Sequence, residues 1–269
     1  MLKTRVLTAL VLLAVLLVML FVLPPWGGAL FATGLLLVGA WEWAQFAGCR
    51  TPLKRLAYVA GIAVVGALAW LGTAAPVDWL RFMAIAAVWW GIAFLWLALR
   101  PRSVTPAGAG IAGALVLVPA CVGLARLLTL GSPGAGAPLA LYMLLLIWAT
   151  DIGGYFVGRR FGRTKLAPAV SPNKTWEGAL GGLLLALLVA AGGSRWFGQP
   201  LVASLALGVV IVLAAMVGDL TESLFKRSAG LKDSGALLPG HGGVLDRIDS
   251  ITAAVPFFVL GLGYFGIIR

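Results

Sequence analysis

An all-α, polytopic integral membrane fold of about nine transmembrane helices is what this sequence predicts, and three observations predict it. Of the 269 residues, 61% are hydrophobic and only 11% charged, with a mean hydropathy of +1.04. Ordinary soluble domains carry about 25% charged residues; one soluble core cannot hide this much apolar side chain, whereas a bilayer can. The apolar residues also fall in nine runs, most of 16 to 26 residues, near the ~20 needed to cross ~30 Å of hydrocarbon. Finally, the basic residues alternate with those runs: with the N-terminus on the cytoplasmic side, sixteen of twenty Lys and Arg fall on that side and four on the other, which satisfies the positive-inside rule and leaves the C-terminus outside.

The first run, 6–23, follows MLKTR and mimics a signal peptide. Its apolar part exceeds the ~7–15 residues usual for such a segment and no clear cleavage site follows, so it reads as a spanning helix. Pro24-Pro25 ends it. The runs 27–47 and 56–72 are separated by Thr51-Pro52, and Pro76 precedes 79–99. Arg100-Pro101-Arg102 divides that run from 105–130, and the Gly131–Pro138 cluster precedes 138–158. The last three runs are 177–194, 200–224 and 248–268, with Gln199-Pro200 before the second of them. Such Pro and Gly positions are turn chemistry, and proline is tolerated at a helix start. The 36 glycines suit membrane helices, where small residues let backbones approach. Trp26, Trp70, Trp79 and Trp196 near the outer ends, and Trp41, Trp43, Trp96 and Trp176 near the inner ends, read as aromatic belts.

Seven of the nine acids lie after residue 150. Residues 1–130 therefore read as N-terminal membrane scaffold helices, and 131–269 as C-terminal catalytic helices with cytoplasmic loops. The net charge of +11 is spread over short loops between apolar runs, so topology and anionic lipid explain it better than nucleic acid. Cys49 and Cys121 form no metal-ligand or disulfide pattern, and a single histidine excludes a multi-histidine metal site within one chain. Oxygen ligands remain, which favour Mg²⁺ over Zn²⁺.

Four constellations carry the chemistry. Asp219, Glu222, Ser223 and Lys226 recur at i, i+3, i+4 and i+7, one face of a helix, at the end of an uncharged run. An ionisable group within a spanning helix costs several kcal/mol unless paired or hydrated, which points to function; a solvated helix end with an internal Glu222–Lys226 pair is the local alternative. The second is His241-Gly242-Gly243-Val244-Leu245-Asp246-Arg247-Ile248-Asp249. Its glycines let backbone N–H groups approach a phosphate, and carboxylates beside Lys and Arg suit Mg²⁺ bridged to phosphate oxygens. A simple turn with Asp246 as helix cap is the alternative there. The third joins Asp151 and Tyr155 on one helix face to Arg159 and Arg160. In the fourth, SPNKTWEG, Thr175 reads as a helix cap with Glu177 in the first turn, leaving Ser171 and Lys174 as an anion site at a helix N-terminus.

Ser223-x-x-Lys226-Arg227, then Lys232-Asp233, then His241-Gly242-Gly243-x-x-Asp246-Arg247-x-Asp249 resembles the signature of the phosphatidate cytidylyltransferases, the CDP-diacylglycerol synthases. SPNKTWEG resembles that family's upstream motif, usually SPKKTxEG, with Asn173 where a lysine is common. The motif similarity covers roughly residues 148–250. The resemblance implies transfer of the cytidylyl group of CTP to phosphatidic acid with Mg²⁺, a site at the cytoplasmic face of a bacterial inner membrane, and a homodimer. It places the family's metal-binding aspartates on Asp219 and Asp246. Lys226, Arg227, Lys232 and Arg247 become candidates for the triphosphate and leaving group, with Asp233 and Asp249 beside them. Ser171 and Lys174 become candidates for either the lipid phosphate or the nucleotide. A CTP-dependent polyprenol kinase would lack the full HGGxxDRxD run. A transporter would not be expected to keep its acids on one face with none at the midplane.

Overall fold

The computed structural model describes residues 2–99, 103–131, 134–238, 240 and 242–268, with residues 2–6 as backbone only. Nine helices follow one another among these residues: α1 (Leu2–Phe21), α2 (Pro25–Trp43), α3 (Pro52–Gly72), α4 (Pro76–Leu99), α5 (Pro106–Leu128), α6 (Gly136–Phe161), α7 (Trp176–Trp196), α8 (Leu201–Ser228) and α9 (Leu245–Tyr264). The chain is an all-α, polytopic membrane protein. By length and composition six helices, α3 to α8, are long and apolar enough to cross a bilayer. Helix α9 instead opens with Asp246, Arg247 and Asp249.

Prolines begin several helices where expected: Pro25, Pro52 and Pro106 occupy first-turn positions, where a missing N–H costs nothing. Thr51, Thr105 and Thr175 each accept the backbone N–H three residues on, capping α3, α5 and α7. The outward faces of α3 and α4 carry Val64, Leu68, Ile85, Val88 and Leu95 in exposed positions, the apolar exterior a bilayer demands.

Small residues set the packing. Helix α5 is enclosed by α2, α3, α4 and α9. At its Gly113 a Cβ would strike Trp43 and Tyr58, whose Trp43 Nε1 donates to Ala109 O at 2.8 Å and whose Tyr58 hydroxyl donates to Gly110 O at 3.0 Å. Helices α6 and α7 meet backbone to backbone at Gly153, Gly181 and Gly182. Helices α8 and α9 run antiparallel and touch at Gly218, where a Cβ would lie 2.6 Å from Asp249 O.

Two features differ from the sequence expectation. Between α6 and α7 the chain forms an antiparallel hairpin, β1 (Lys165–Ala167) with β2 (Ser171–Thr175); five residues including a proline carry no strand periodicity to read. And Trp43 and Trp79, expected in the aromatic belts, are only 1% and 3% exposed. Trp43 fills the space left by Gly113 and stacks with Phe225 at 4.9 Å between centroids. Trp26, Trp176 and Trp196 are exposed as expected.

Candidate active site

The end of the bundle where α2 and α8 finish and α9 begins collects the charges. On α8, Lys226 Nζ lies 3.1 Å from Glu222 Oε2, so the i, i+4 pair forms, and 2.6 Å from Asp246 Oδ1 on α9. The second oxygen of Asp246 accepts from Ser234 N at 3.0 Å, Ser234 Oγ at 2.9 Å and Gly243 N at 2.9 Å. Asp246 thus ties α8, the loop after it and the start of α9 together, accepting from loop N–H groups rather than capping the helix. Asp219 lies seven residues before Lys226, about 10 Å along the axis. It pairs with Lys174 of β2 at 2.5 Å and accepts from Ser223 Oγ at 3.4 Å. Asp249 lies within electrostatic reach of Asp219 and Lys226.

Lys174 connects this cluster to a cavity of about 520 Å³ walled by α6, the hairpin and the start of α7, lined by Asp151, Tyr155, Arg159, Asn173, Lys174 and Thr175 among others. Arg159 Nη1 donates to the Tyr155 hydroxyl at 2.7 Å. Asp151 lies within electrostatic reach of Asp219, Lys174 and Arg247. Glu177 accepts from the backbone N–H groups of Arg163 and Thr164 at 3.1 Å, so it closes the loop after α6. Ser171 begins β2 opposite Ala167. Arg227 donates to Leu231 O at 3.1 Å, bracing the loop after α8, while Lys232 and Asp233 are exposed in that loop. His241 lies outside the described residues.

The glycines expected to admit a phosphate admit carboxylates in this structure. Gly242 has φ +83°, a left-handed conformation that glycine adopts without strain, and its carbonyl accepts Leu238 N–H at 2.9 Å. A Cβ there would lie 2.9 Å from Asp246 Oδ2. The Gly243 N–H is engaged by Asp246, and a Cβ on Gly243 would collide with Ser234 Oγ and Glu42.

Glu42 is the residue that sequence reasoning passed over. It ends α2, is 2% exposed, and accepts from Val244 N at 3.1 Å, Leu245 N at 2.7 Å and Ser234 Oγ at 3.1 Å. The first N–H groups of a helix have no intrahelical partner; here a carboxylate 203 residues earlier supplies it. One turn on, Gln45 Nε2 donates to Ser234 O at 2.9 Å. The available signal was a charged residue within an apolar run, which by default marks a function. Asn173, left without a role, lines the cavity.

The donor set fits a hard divalent cation. The Glu222 and Asp249 carboxyl groups lie within hydrogen-bonding reach of each other, and Glu222 Oε1 is buried with no hydrogen-bond partner. Two carboxylates in contact need a proton or a cation between them. Among the described residues no three Asp, Glu, His or Cys side chains converge to cage an ion. An ion at this end would therefore need water and substrate phosphates to complete its coordination, as Mg²⁺ commonly does.

One end of this helical membrane bundle thus gathers Lys174 and Lys226 with the carboxylates of Asp219, Glu222 and Asp246, a set of charges suited to binding phosphate groups. Residues 3–265 match the model of the cytidylyltransferase family, and the chain belongs to that family. It is 42% identical over 281 aligned positions to the phosphatidate cytidylyltransferase of Haemophilus influenzae, covering 96% of this chain and 97% of the relative. To the phosphatidate cytidylyltransferase of Pseudomonas aeruginosa it is 45% identical over 267 positions, 96% of each chain. To that of Brucella suis it is 37% identical over 271 positions, covering 96% of this chain and 92% of the relative.

Proposed function

We propose that the chain transfers the cytidylyl group of CTP to phosphatidic acid, forming CDP-diacylglycerol and releasing pyrophosphate. The observation that carries this reading is the Lys174–Asp219 pair, which joins a lined cavity to the carboxylate cluster in a chain of this family. A phosphate oxygen of phosphatidic acid attacks the α-phosphorus of CTP. The bond from that phosphorus to the bridging oxygen breaks, and pyrophosphate leaves with the electron pair. The nucleophile is already anionic, so no strong general base is needed, and catalysis rests on positioning and charge neutralisation.

A phosphate entering the cavity meets Lys174, with Arg159 and Tyr155 along the wall. Lys226 is held by two carboxylates and so sets the position of Asp246. Lys232 and Arg247, both exposed, are the cations for the triphosphate and the leaving group. Asp219 and Asp246 would hold Mg²⁺, with Asp249 adjacent. When bound, such an ion would supply neutralisation of phosphate charge beside these carboxylates. Purified protein given CTP, phosphatidic acid and Mg²⁺ should carry label from the cytosine ring or the α-phosphate into extracted lipid. Label entering from the γ-phosphate would make the protein a kinase, and no label from either position would overturn the proposal.

The remaining parts of this reading are a homodimer in a bacterial cytoplasmic membrane, with nine spans, the carboxylate end at the cytoplasm and the N-terminus inside. The basic asymmetry motivates the orientation. A C-terminal reporter active only outside the cytoplasm is expected to be on; a cytoplasmic signal from it would make the span count wrong by one.

A further inference from the structure

The end of the bundle opposite the carboxylates holds a second, separate arrangement of charge and apolar surface. Arg126 stands near the end of α5, 17 residues or about 26 Å beyond Ala109, whose carbonyl marks the active-site end. Its guanidinium lies over the Trp70 ring at 4.2 Å, its Nε donates to Thr73 Oγ1 at 2.9 Å, and Nη2 donates to Trp70 O. Among the described residues no carboxylate pairs with it. A planar cation so held keeps further N–H donors for a ligand, and guanidinium is suited to phosphate.

Two cavities share Thr129 beside this arginine. One, about 500 Å³, is lined by Thr73, Trp79, Arg126, Thr129, Gly131 and Ile267 among others. Trp79 is 3% exposed, and its indole N–H has no hydrogen-bond partner. That nitrogen is itself closed off, so the charge the cavity presents is Arg126. The other, about 590 Å³, is a groove between α2, α3 and α5, walled almost wholly by apolar side chains such as Ile62, Leu117 and Val118. Thr129 lines both, and Trp70, which carries the guanidinium, forms a wall of the groove. A cavity of mixed lining that carries Arg126, beside an apolar groove, matches a molecule with an anionic head and a hydrocarbon chain.

We propose that this end of the protein binds one anionic phospholipid, its phosphate on Arg126 and one acyl chain in the α2–α3–α5 groove. The site is remote from the carboxylate cluster, so its occupant is held rather than transformed. It does not depend on which reaction the other end performs.

The test is native mass spectrometry of the delipidated full chain titrated with dioleoylphosphatidylglycerol or dioleoylphosphatidylcholine. Wild type should retain one phosphatidylglycerol at least about tenfold more tightly than phosphatidylcholine. Arg126→Gln should lose that preference, and Arg126→Lys should keep part of it. Arg195→Gln, a cation at the same end that lines neither cavity, and Lys174→Ala at the catalytic end should leave it intact. Gly66 lines the groove with open space beyond its Cβ position, so Gly66→Leu should fill the groove and weaken retention without touching Arg126. This variant keeps the test decisive if Arg126→Gln does not fold. No preference in wild type, a preference that survives both Arg126→Gln and Gly66→Leu, or one lost in Lys174→Ala would overturn the proposal. So would displacement of the lipid by equimolar inorganic phosphate, which would show that the acyl chain adds nothing.

Discussion

Asp219→Asn and Asp246→Asn are each expected to lower kcat/KM by on the order of 10³-fold, about 4 kcal/mol of transition-state stabilisation, and the double variant to be scarcely worse than either. The two carboxylates stand on adjacent antiparallel helices, and each is held by its own lysine, Lys174 and Lys226. If they serve one cation, losing either removes the function of both, and the effects cannot add. Asp246→Asn also removes a charge beside buried Lys226 and places an amide N–H₂ or a neutral carbonyl where three donors converge, so its folding must be followed by thermal unfolding. The Asp219 side chain is 28% exposed and offers the cleaner single variant. Kinetics of all four proteins across a Mg²⁺ titration decide the matter. Strictly additive losses with an unchanged Mg²⁺ dependence would show that the two aspartates do not share an ion.

Glu42→Gln is expected to destabilise the protein by about 2–4 kcal/mol and to abolish most activity although residue 42 touches no substrate. The carboxylate takes two backbone N–H groups at the start of α9 and the Ser234 hydroxyl. Removal of a helix cap costs about 0.5–2 kcal/mol, and a buried donor left unpaired about 1–3 kcal/mol. Glutamine retains one acceptor, and because Oε1 and Oε2 both accept donors in the wild type, either orientation points an N–H₂ group at a donor. Ser234→Ala, which removes one of those donors together with its bond to Asp246, should cost less. The readouts are thermal unfolding in detergent and the cytidylyl-transfer assay. Unfolding of Glu42→Gln within about 0.5 kcal/mol of wild type would show that the cap is dispensable.

In an apolar chain each ionisable residue is costly to bury, so the few that remain stand out in the sequence. For that reason Asp219, Glu222, Ser223 and Lys226 were legible as one helical face, and the Glu222–Lys226 pair as a local i, i+4 contact. The Thr175 cap and the proline starts are also local, fixed by neighbours three or four residues away. Helix number and approximate bounds followed from the lengths of apolar runs between turn residues. The hairpin escaped notice because its two strands are stabilised by each other and by the Glu177 carboxylate, not by any periodicity of their own.

Sequence alone therefore determined the helical membrane architecture and the set of chemically capable side chains, because hydrophobic length and helical spacing act over a few turns. Which lysine meets which aspartate, that Trp43 and Trp79 turn inward, that the Gly242-Gly243 turn receives carboxylates, and that Glu42 from the first half caps the last helix were decided only by tertiary structure. Those contacts join residues tens to hundreds of positions apart. Their partners are set by which helix faces come to lie together when glycines such as Gly113 and Gly218 let the backbones close, and no local pattern encodes that choice.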